Sequence, residues 1–170
     1  MNVLIAILIV YITVRLAVAT IFVTQFDAED AKERVKAEIL GRSFYLQHHQ
    51  RMHACVYSGT SEMPLASSDA LLLVHGHRYP SSTSVHVNKL WRNLLCFAQM
   101  TAHFASYDTD IIFIDSSMFV TANLTSHVPR NAPFACVPPS SSQFDMCGMH
   151  VLYAKSSLGV SLYAYINATL

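Results

Sequence analysis

Residues 85–117 read VHVNKLWRNLLCFAQMTAHFASYDTDIIFIDSS, and this stretch decides the fold. In its first part the apolar residues recur with helical spacing and form one stripe, which predicts an amphipathic helix. Ile111 to Ile114 then form a continuous apolar run that ends on Asp115, which predicts a buried strand. A helix that leads into a buried strand is typical of a layered α/β sheet.

Further short apolar runs lie on both sides of this stretch and are separated by Ser, Pro and Gly. They cover residues 54–57, 70–74, 134–137 and 149–153. The run at 70–74 is apolar without interruption, which predicts a strand buried on both faces. The sequence therefore predicts a mostly parallel α/β sheet. Functional groups in such sheets tend to lie at the carboxyl ends of strands, and Asp115 is at such an end.

Composition excludes one class of function. The chain has 170 residues, 11 basic and 11 acidic side chains, and a formal net charge of zero. A nucleic-acid-binding face needs a basic excess, so no nucleic-acid partner is expected.

The four cysteines lack zinc-type spacing and fit either a disulfide in an oxidising compartment or buried small side chains. Two glycosylation sequons, at Asn123 and Asn167, suit a secretory route.

The N-terminal residues 1–26 are apolar almost throughout, with Arg15 as the interruption. Their length is close to the roughly 20 residues that a helix needs to cross a bilayer. This pattern predicts a single-pass type II signal-anchor helix. A cleaved signal peptide, or a buried helix or strand of a soluble fold, would also fit the pattern.

Residues 27–52 have a helical pattern rich in charge. Asp27 is suited to cap a helix, and Asp30, Arg34 and Glu38 form successive opposite-charge pairs at a spacing of four residues. The pattern predicts a helical stalk that separates the anchor from an α/β domain over residues 53–170.

The order of motifs between Asn88 and Ser156 resembles family 8 glycosyltransferases, glycogenin in particular. That family has Thr-Lys-Leu at a helix start, a strand ending in Asp-x-Asp, an Asn-Ile-Asp turn, an Ala-Ala-Pro strand and Phe-Asn-x-Gly. The matching stretches here occur in the same order: Asn88-Lys89-Leu90, then 107–117, Ala122-Asn123-Leu124, 132–138, 144–152 and Lys155-Ser156.

The resemblance implies a partial GT-A-like, Rossmann-type domain that transfers a hexose from a nucleotide sugar, in particular a UDP-sugar. The acceptor would be a glycan or a protein, and the compartment would be the lumen of the Golgi or secretory pathway. Asp115 and Ser117 fall on the two positions that hold Mn²⁺ in the family, where the cation bridges the donor phosphates. Ser116 lies between them in the donor site.

Three more positions acquire roles from the same resemblance. Lys89 matches a lysine that approaches the donor diphosphate, and Gly148 matches a small residue that lets the backbone approach the donor. Asp145 stands at the position of an asparagine that contacts the donor sugar, so it is the candidate catalytic residue.

Three departures from the family pattern leave other functions open. Ser117 replaces a carboxylate, and a hydroxyl is a much poorer ligand for a hard divalent cation. Asp145 replaces an asparagine, and the family's later metal-binding histidine has no counterpart. A catalytically silent relative that acts as a binding or assembly protein is one alternative. An unrelated membrane-anchored periplasmic or pilin-like protein is another, and a central parallel sheet would exclude it.

Overall fold

The computed structural model of the protein describes residues 19–57, 71–77, 85–137 and 150–169. Six strands and three α-helices occur in these ranges. The strands are β1 (Ala19–Asp27), β2 (Met52–Tyr57), β3 (Leu71–His77), β4 (Thr109–Ile114), β5 (Phe134–Cys136) and β6 (Val151–Lys155). The helices are α1 (Ala31–His48), α2 (Val85–His103) and α3 (Gly159–Thr169).

All six strands belong to one sheet with the order β3-β2-β1-β4-β6-β5. The four strands from β3 to β4 pair in parallel, whereas β6 is antiparallel to both β4 and β5. The predicted mostly parallel α/β sheet is confirmed. The pilin-like alternative is wrong, because the centre of the sheet is parallel.

The predicted N-terminal membrane helix is wrong over residues 19–26. These residues form β1, a central strand that pairs with β2 on one side and β4 on the other. Central parallel strands are buried on both faces and therefore read as continuous apolar runs, which hydropathy alone cannot distinguish from a helix. Residues 1–18 lie outside the described part of the chain. In the ranges that the structure covers, no helix has the length and apolarity of a membrane span.

The predicted stalk is helical, but it is a layer of the domain and not a spacer. Helix α1 begins at Asp30, whose side chain accepts hydrogen bonds from the amides of Lys32 and Glu33. Its buried face packs on β1 and β2 through Ala37, Leu40 and Phe44, each fully buried. Because the sheet covers this apolar face, α1 and β1 are part of the domain. They contain residues that the sequence assigned to the stalk and to the anchor.

The alternation of side chains along β4 divides the interior into two hydrophobic cores. Ile112 and Ile114 pack on the α1 face of the sheet. Ile111 and Phe113 pack on the opposite face, which α2 and α3 cover. A disulfide between Cys55 of β2 and Cys96 of α2 crosses this second core. The chain is therefore a three-layer α/β/α domain.

Two elements at the margins differ from expectation. Strand β3 is at the edge of the sheet, and Leu72 is 37% exposed while Leu71 is buried, so the prediction of burial on both faces is wrong. Helix α3 was not predicted. It begins at Gly159, where an added Cβ atom would lie 2.2 Å from the carbonyl carbon of Thr101 in α2. Only glycine permits this close approach of the two helices.

The chain reverses its direction of travel across the sheet beside β1. Helix α1 leads from β1 to β2 on one side, and α2 brings the chain from β3 back to β4 on the other side. The carboxyl ends of β1 and β4 thus flank a topological switch point, where open α/β sheets form their ligand-binding crevices. Asp27 ends β1 and Asp115 follows β4 at this edge.

Candidate functional site

Asp115 is the centre of the candidate site, and it is 2% exposed. Its Oδ1 atom accepts hydrogen bonds from the Ser117 amide at 2.8 Å and the Ser117 hydroxyl at 2.5 Å. The Lys89 Nζ atom lies 3.2 Å from the same oxygen and forms an ion pair with it. The structure therefore brings together three of the residues predicted from the sequence, Lys89, Asp115 and Ser117.

The other carboxylate oxygen is held by two amide side chains that were not predicted. Asn93 Nδ2 donates to Asp115 Oδ2 at 2.7 Å. Gln25 Nε2, near the carboxyl end of β1, donates to Asn93 Oδ1 at 2.6 Å. This second bond orients the Asn93 amide so that its NH₂ group faces the carboxylate. Both amides are buried, so the carboxylate is held from the interior of the domain.

These contacts keep Asp115 ionised. Burial alone would raise the pKa of its carboxyl group. Hydrogen bonds from the Ser117 hydroxyl and amide, a further bond from Asn93 and the charge of Lys89 more than offset that effect and leave the pKa below its usual value. The Asp115 carboxyl group is therefore ionised at neutral pH.

A second buried network lies beside the first. Arg92 of α2 donates to Asp27 Oδ2 at 2.6 Å and to Glu33 Oε1 at 3.1 Å. The Asp27 amide donates to Glu33 Oε2 at 3.0 Å. The Tyr57 hydroxyl, at the end of β2, donates to the backbone carbonyl of Arg92 at 3.2 Å. One guanidinium group thus joins β1, α1 and α2 at the carboxyl edge of the sheet.

The Arg92 network lies near the N-terminal end of α1, and Lys89 lies in the second turn of α2. Helix α1 starts four residues after Asp27, and Lys89, Arg92 and Asn93 belong to the first half of α2. The unpaired amides and the dipole of a helix give its N-terminus a partial positive charge. Together with the Lys89 ammonium group, this arrangement makes the crevice suitable for an anionic ligand.

Ser116, the other predicted site residue within the described ranges, makes no hydrogen bond with this constellation through its side chain. Ser116 is 1% exposed, and its hydroxyl has no hydrogen-bond partner among the described residues. Its side chain points away from solvent. Asp145 and Gly148 lie outside the described ranges, so their roles stay predictions.

The described residues do not by themselves fit a divalent cation. Asp115 already accepts four hydrogen bonds, and Ser117 supplies a neutral hydroxyl where a second carboxylate would be needed. Within the ranges 19–57, 71–77, 85–137 and 150–169, no three His, Cys, Asp or Glu side chains are grouped to hold a metal ion. The Mn²⁺ site at Asp115 and Ser117 stays a prediction.

The sequence carried a signal for the residues that were missed. Asn93 lies four residues after Lys89, so the two side chains are neighbours on one face of a helix. Arg92 and Asn93 also interrupt a mainly apolar stretch. Gln25 is a single amide within an apolar run. A polar side chain in such a position is normally satisfied by a specific partner.

Beyond Ser117, the loop over residues 118–129 borders a mainly apolar cavity of about 580 Å³. Strands β4, β5 and β6 also line this cavity, through residues such as Ile112, Ala135 and Tyr153. His48, near the end of α1, stacks on Phe44 with ring centroids 4.2 Å apart. Its Nε2 atom accepts a hydrogen bond from the Leu124 amide at 3.1 Å, which attaches the loop to α1.

This attachment predicts an acid-sensitive stability. Burial lowers the pKa of His48, and protonation at Nε2 would remove the bond from Leu124. The unfolded chain then binds more protons than the folded one between the lowered pKa and the ordinary value near 6.5. We expect the free energy of unfolding to fall as the pH decreases from 7.5 to 5. Urea unfolding at a series of pH values measures this change in the free energy of unfolding.

The matched variant for this prediction is His48→Gln, because glutamine keeps an acceptor for Leu124 but does not titrate. We expect a smaller loss of stability in this variant over the same pH range. Burial, followed by the charge of His103, also lowers the pKa of His53, so part of the pH dependence should persist. Equal slopes in the variant and the wild type would show that the His48 bond does not contribute.

The comparisons with known proteins give structural similarity alone. The sequence matches no protein-family model, and no curated protein is significantly similar to it. The chain is similar in structure to a crystal structure of a glycosyltransferase involved in the glycosylation of the major capsid of PBCV-1. The TM-score is 0.52 and the sequence identity is 13%. The match covers 88% of this chain and 66% of that protein. The fold is therefore glycosyltransferase-like.

Proposed function

We propose that this domain binds the diphosphate of a nucleotide sugar at the crevice between the carboxyl ends of β1 and β4. In that role it would transfer a hexose to a glycan or protein acceptor. The observation that carries the proposal is the convergence of Lys89 and Asp115 at the topological switch point, with Asn93 and Gln25 holding the carboxylate. A partly exposed ammonium group at a crevice near a helix N-terminus suits a phosphate group.

The glycosyltransferase-like fold supports the same class of reaction, although it does not identify the donor, the sugar or the acceptor. UDP-hexose is the donor implied by the resemblance to family 8, and membership of that family remains a hypothesis. In hexose transfer, the bond between the anomeric carbon and the diphosphate breaks, and an acceptor hydroxyl forms the new bond. Positive charge near the diphosphate stabilises the leaving group as that bond breaks.

Isothermal titration of the purified protein with UDP tests the donor site. We expect binding in the wild type and binding about 10- to 100-fold weaker in Lys89→Met, which removes a charged donor and keeps most of the apolar stem. Lys36→Met is the control, because Lys36 is exposed on the outer side of α1. No binding of UDP with either Mn²⁺ or EDTA present would overturn the proposed donor site.

A catalytically silent protein is the second candidate, and the state of Asp115 favours it. Ser117 replaces a carboxylate, and both oxygens of Asp115 are engaged in internal hydrogen bonds. Such a protein would bind a nucleotide sugar without turning it over. Incubation of UDP-glucose or UDP-galactose with the protein and analysis for released UDP distinguishes the two functions. Release above the rate in a Lys89→Met sample supports the transferase, and binding without release supports the silent relative.

The luminal compartment predicted from the sequence is retained as part of the proposal. The disulfide between Cys55 and Cys96 supports it, because disulfides persist mainly in oxidising compartments. Asn123 of the first sequon is exposed, and its side-chain oxygen accepts hydrogen bonds from the Thr125 amide and hydroxyl. Its side chain is therefore accessible to modification. Sensitivity of the secreted or membrane-associated protein to peptide N-glycosidase F would test this assignment.

A further inference from the structure

We propose that Lys89, and not a divalent cation held by Asp115 and Ser117, supplies the positive charge that binds the donor diphosphate, and that Asp115 is a positioning residue for Lys89. This inference rests on the proposed donor site and specifies how that site recognises a phosphate group. It predicts that nucleotide binding does not depend on Mn²⁺.

The exposure of the two side chains supports this assignment. The Lys89 side chain is 23% exposed, whereas the Asp115 side chain is 3% exposed. A ligand that enters from solvent therefore reaches the ammonium group before it reaches the carboxylate. A cation that followed the same path would meet an ammonium group of like charge in front of its ligand.

The hydrogen bonds of Asp115 are a second, independent argument that Lys89 and not a bound cation supplies the positive charge. The Ser117 amide, the Ser117 hydroxyl and the Lys89 ammonium occupy Oδ1, and Asn93 occupies Oδ2. A divalent cation would have to displace some of these donors to reach Oδ1, the oxygen on the Ser117 side. The cation would then be bound by one carboxylate and by the neutral hydroxyl of Ser117. These two groups are a weak ligand set for a hard divalent cation.

The Lys89 ammonium group is held in place, which favours the binding of a phosphate group. A lysine side chain is flexible and loses conformational freedom when it binds. Here the ion pair to Asp115 holds the ammonium group, and the Gln25–Asn93 chain holds Asp115 in turn. The ammonium group of lysine has three donors, so donors other than the one directed at Asp115 can bind phosphate oxygens.

The test is titration of UDP into the full chain in the presence of EDTA and, separately, of Mn²⁺. We expect dissociation constants that agree within about threefold, a difference of less than 1 kcal/mol. Binding that occurs only with Mn²⁺ would overturn the inference and leave the proposed donor site intact. No binding under either condition would overturn the donor site itself, so the two failures are distinguishable.

Two variants separate a positioning role from a ligand role. Asp115→Asn should change the affinity for UDP in EDTA by less than about tenfold, because the ammonium group remains. If Asp115 were a metal ligand, this variant would abolish a Mn²⁺-dependent component of binding. Thermal unfolding followed by circular dichroism verifies that the variant is folded.

Ser117→Asp gives a second measurement, at an exposed position. It places a second carboxylate beside Asp115, and we expect Mn²⁺ binding by direct titration in the variant and none in the wild type. Mn²⁺ binding of equal affinity in the two proteins would overturn the inference. Mn²⁺ binding in neither protein would agree with it, because the Lys89 ammonium group would then still exclude the cation.

Discussion

Replacement of Arg92 by methionine is expected to lower the free energy of unfolding by about 3–5 kcal/mol, the usual result of removing one partner from a buried ion pair. Arg92 is 4% exposed and contacts two carboxylates, Asp27 and Glu33. Methionine fills much of the same volume but removes the guanidinium group from both buried acids. Urea unfolding monitored by circular dichroism at pH 7.5 measures the change.

Two further variants make the Arg92 prediction specific. Arg42→Met removes an exposed arginine of α1 and should change the stability by no more than about 0.5 kcal/mol. Adding Asp27→Asn and Glu33→Gln to Arg92→Met should recover part of the loss, because neutral amides cost less to bury than carboxylates. A loss below about 1 kcal/mol in Arg92→Met would show that the network is open to solvent.

Removal of the disulfide between Cys55 and Cys96 is expected to have an effect of similar size. The two residues are 41 positions apart, and closing a loop of that length in the unfolded chain is worth about 4 kcal/mol in the chain-entropy treatment. Both cysteines are fully buried between β2 and α2. We expect the Cys55→Ala/Cys96→Ala protein to lose about 2–5 kcal/mol of stability in urea unfolding without reductant.

Cys136 is also disulfide-bonded, so a reductant would not act on the Cys55–Cys96 bond alone. The stability with and without this bond is therefore compared by means of variants. Peptide mapping of the unreduced wild-type protein should recover a cross-linked pair that contains Cys55 and Cys96. If the alanine variant and the wild type unfold at the same urea concentration, the bond does not constrain the unfolded chain. Finding Cys55 as a free thiol would contradict the pairing itself.

Local patterns were sufficient to predict most of the regular structure. The amphipathic stripe after Val85 predicted α2, which ends at His103, and the run Ile111–Ile114 predicted β4. The runs at 54–57, 70–74, 134–137 and 149–153 all contain strands. These predictions succeeded because the period of apolar residues reflects burial within a single element.

The same information misassigned residues 19–26 and the helix after them. An apolar run that forms β1 is as hydrophobic as a membrane helix, because β2 and β4 pair with it on both sides and helices cover both of its faces. The partners of a strand lie far along the chain, so hydropathy does not reveal them. Helix α1 was likewise taken for a stalk, although Leu40 and Phe44 pack into the core.

The sequence by itself determined the α/β class, the position of Asp115 at a strand end and the candidate role of Lys89. The first two depend on residue type and short spacing, whereas the role of Lys89 is implied by the resemblance to family 8. Only the tertiary structure decided that Asp115 accepts hydrogen bonds from Lys89, Asn93 and Ser117, and that Gln25 orients Asn93 from β1. The physical reason is that a hydrogen bond requires atoms to meet within about 3 Å, and residues 68 positions apart in the chain meet only when the sheet and α2 pack together.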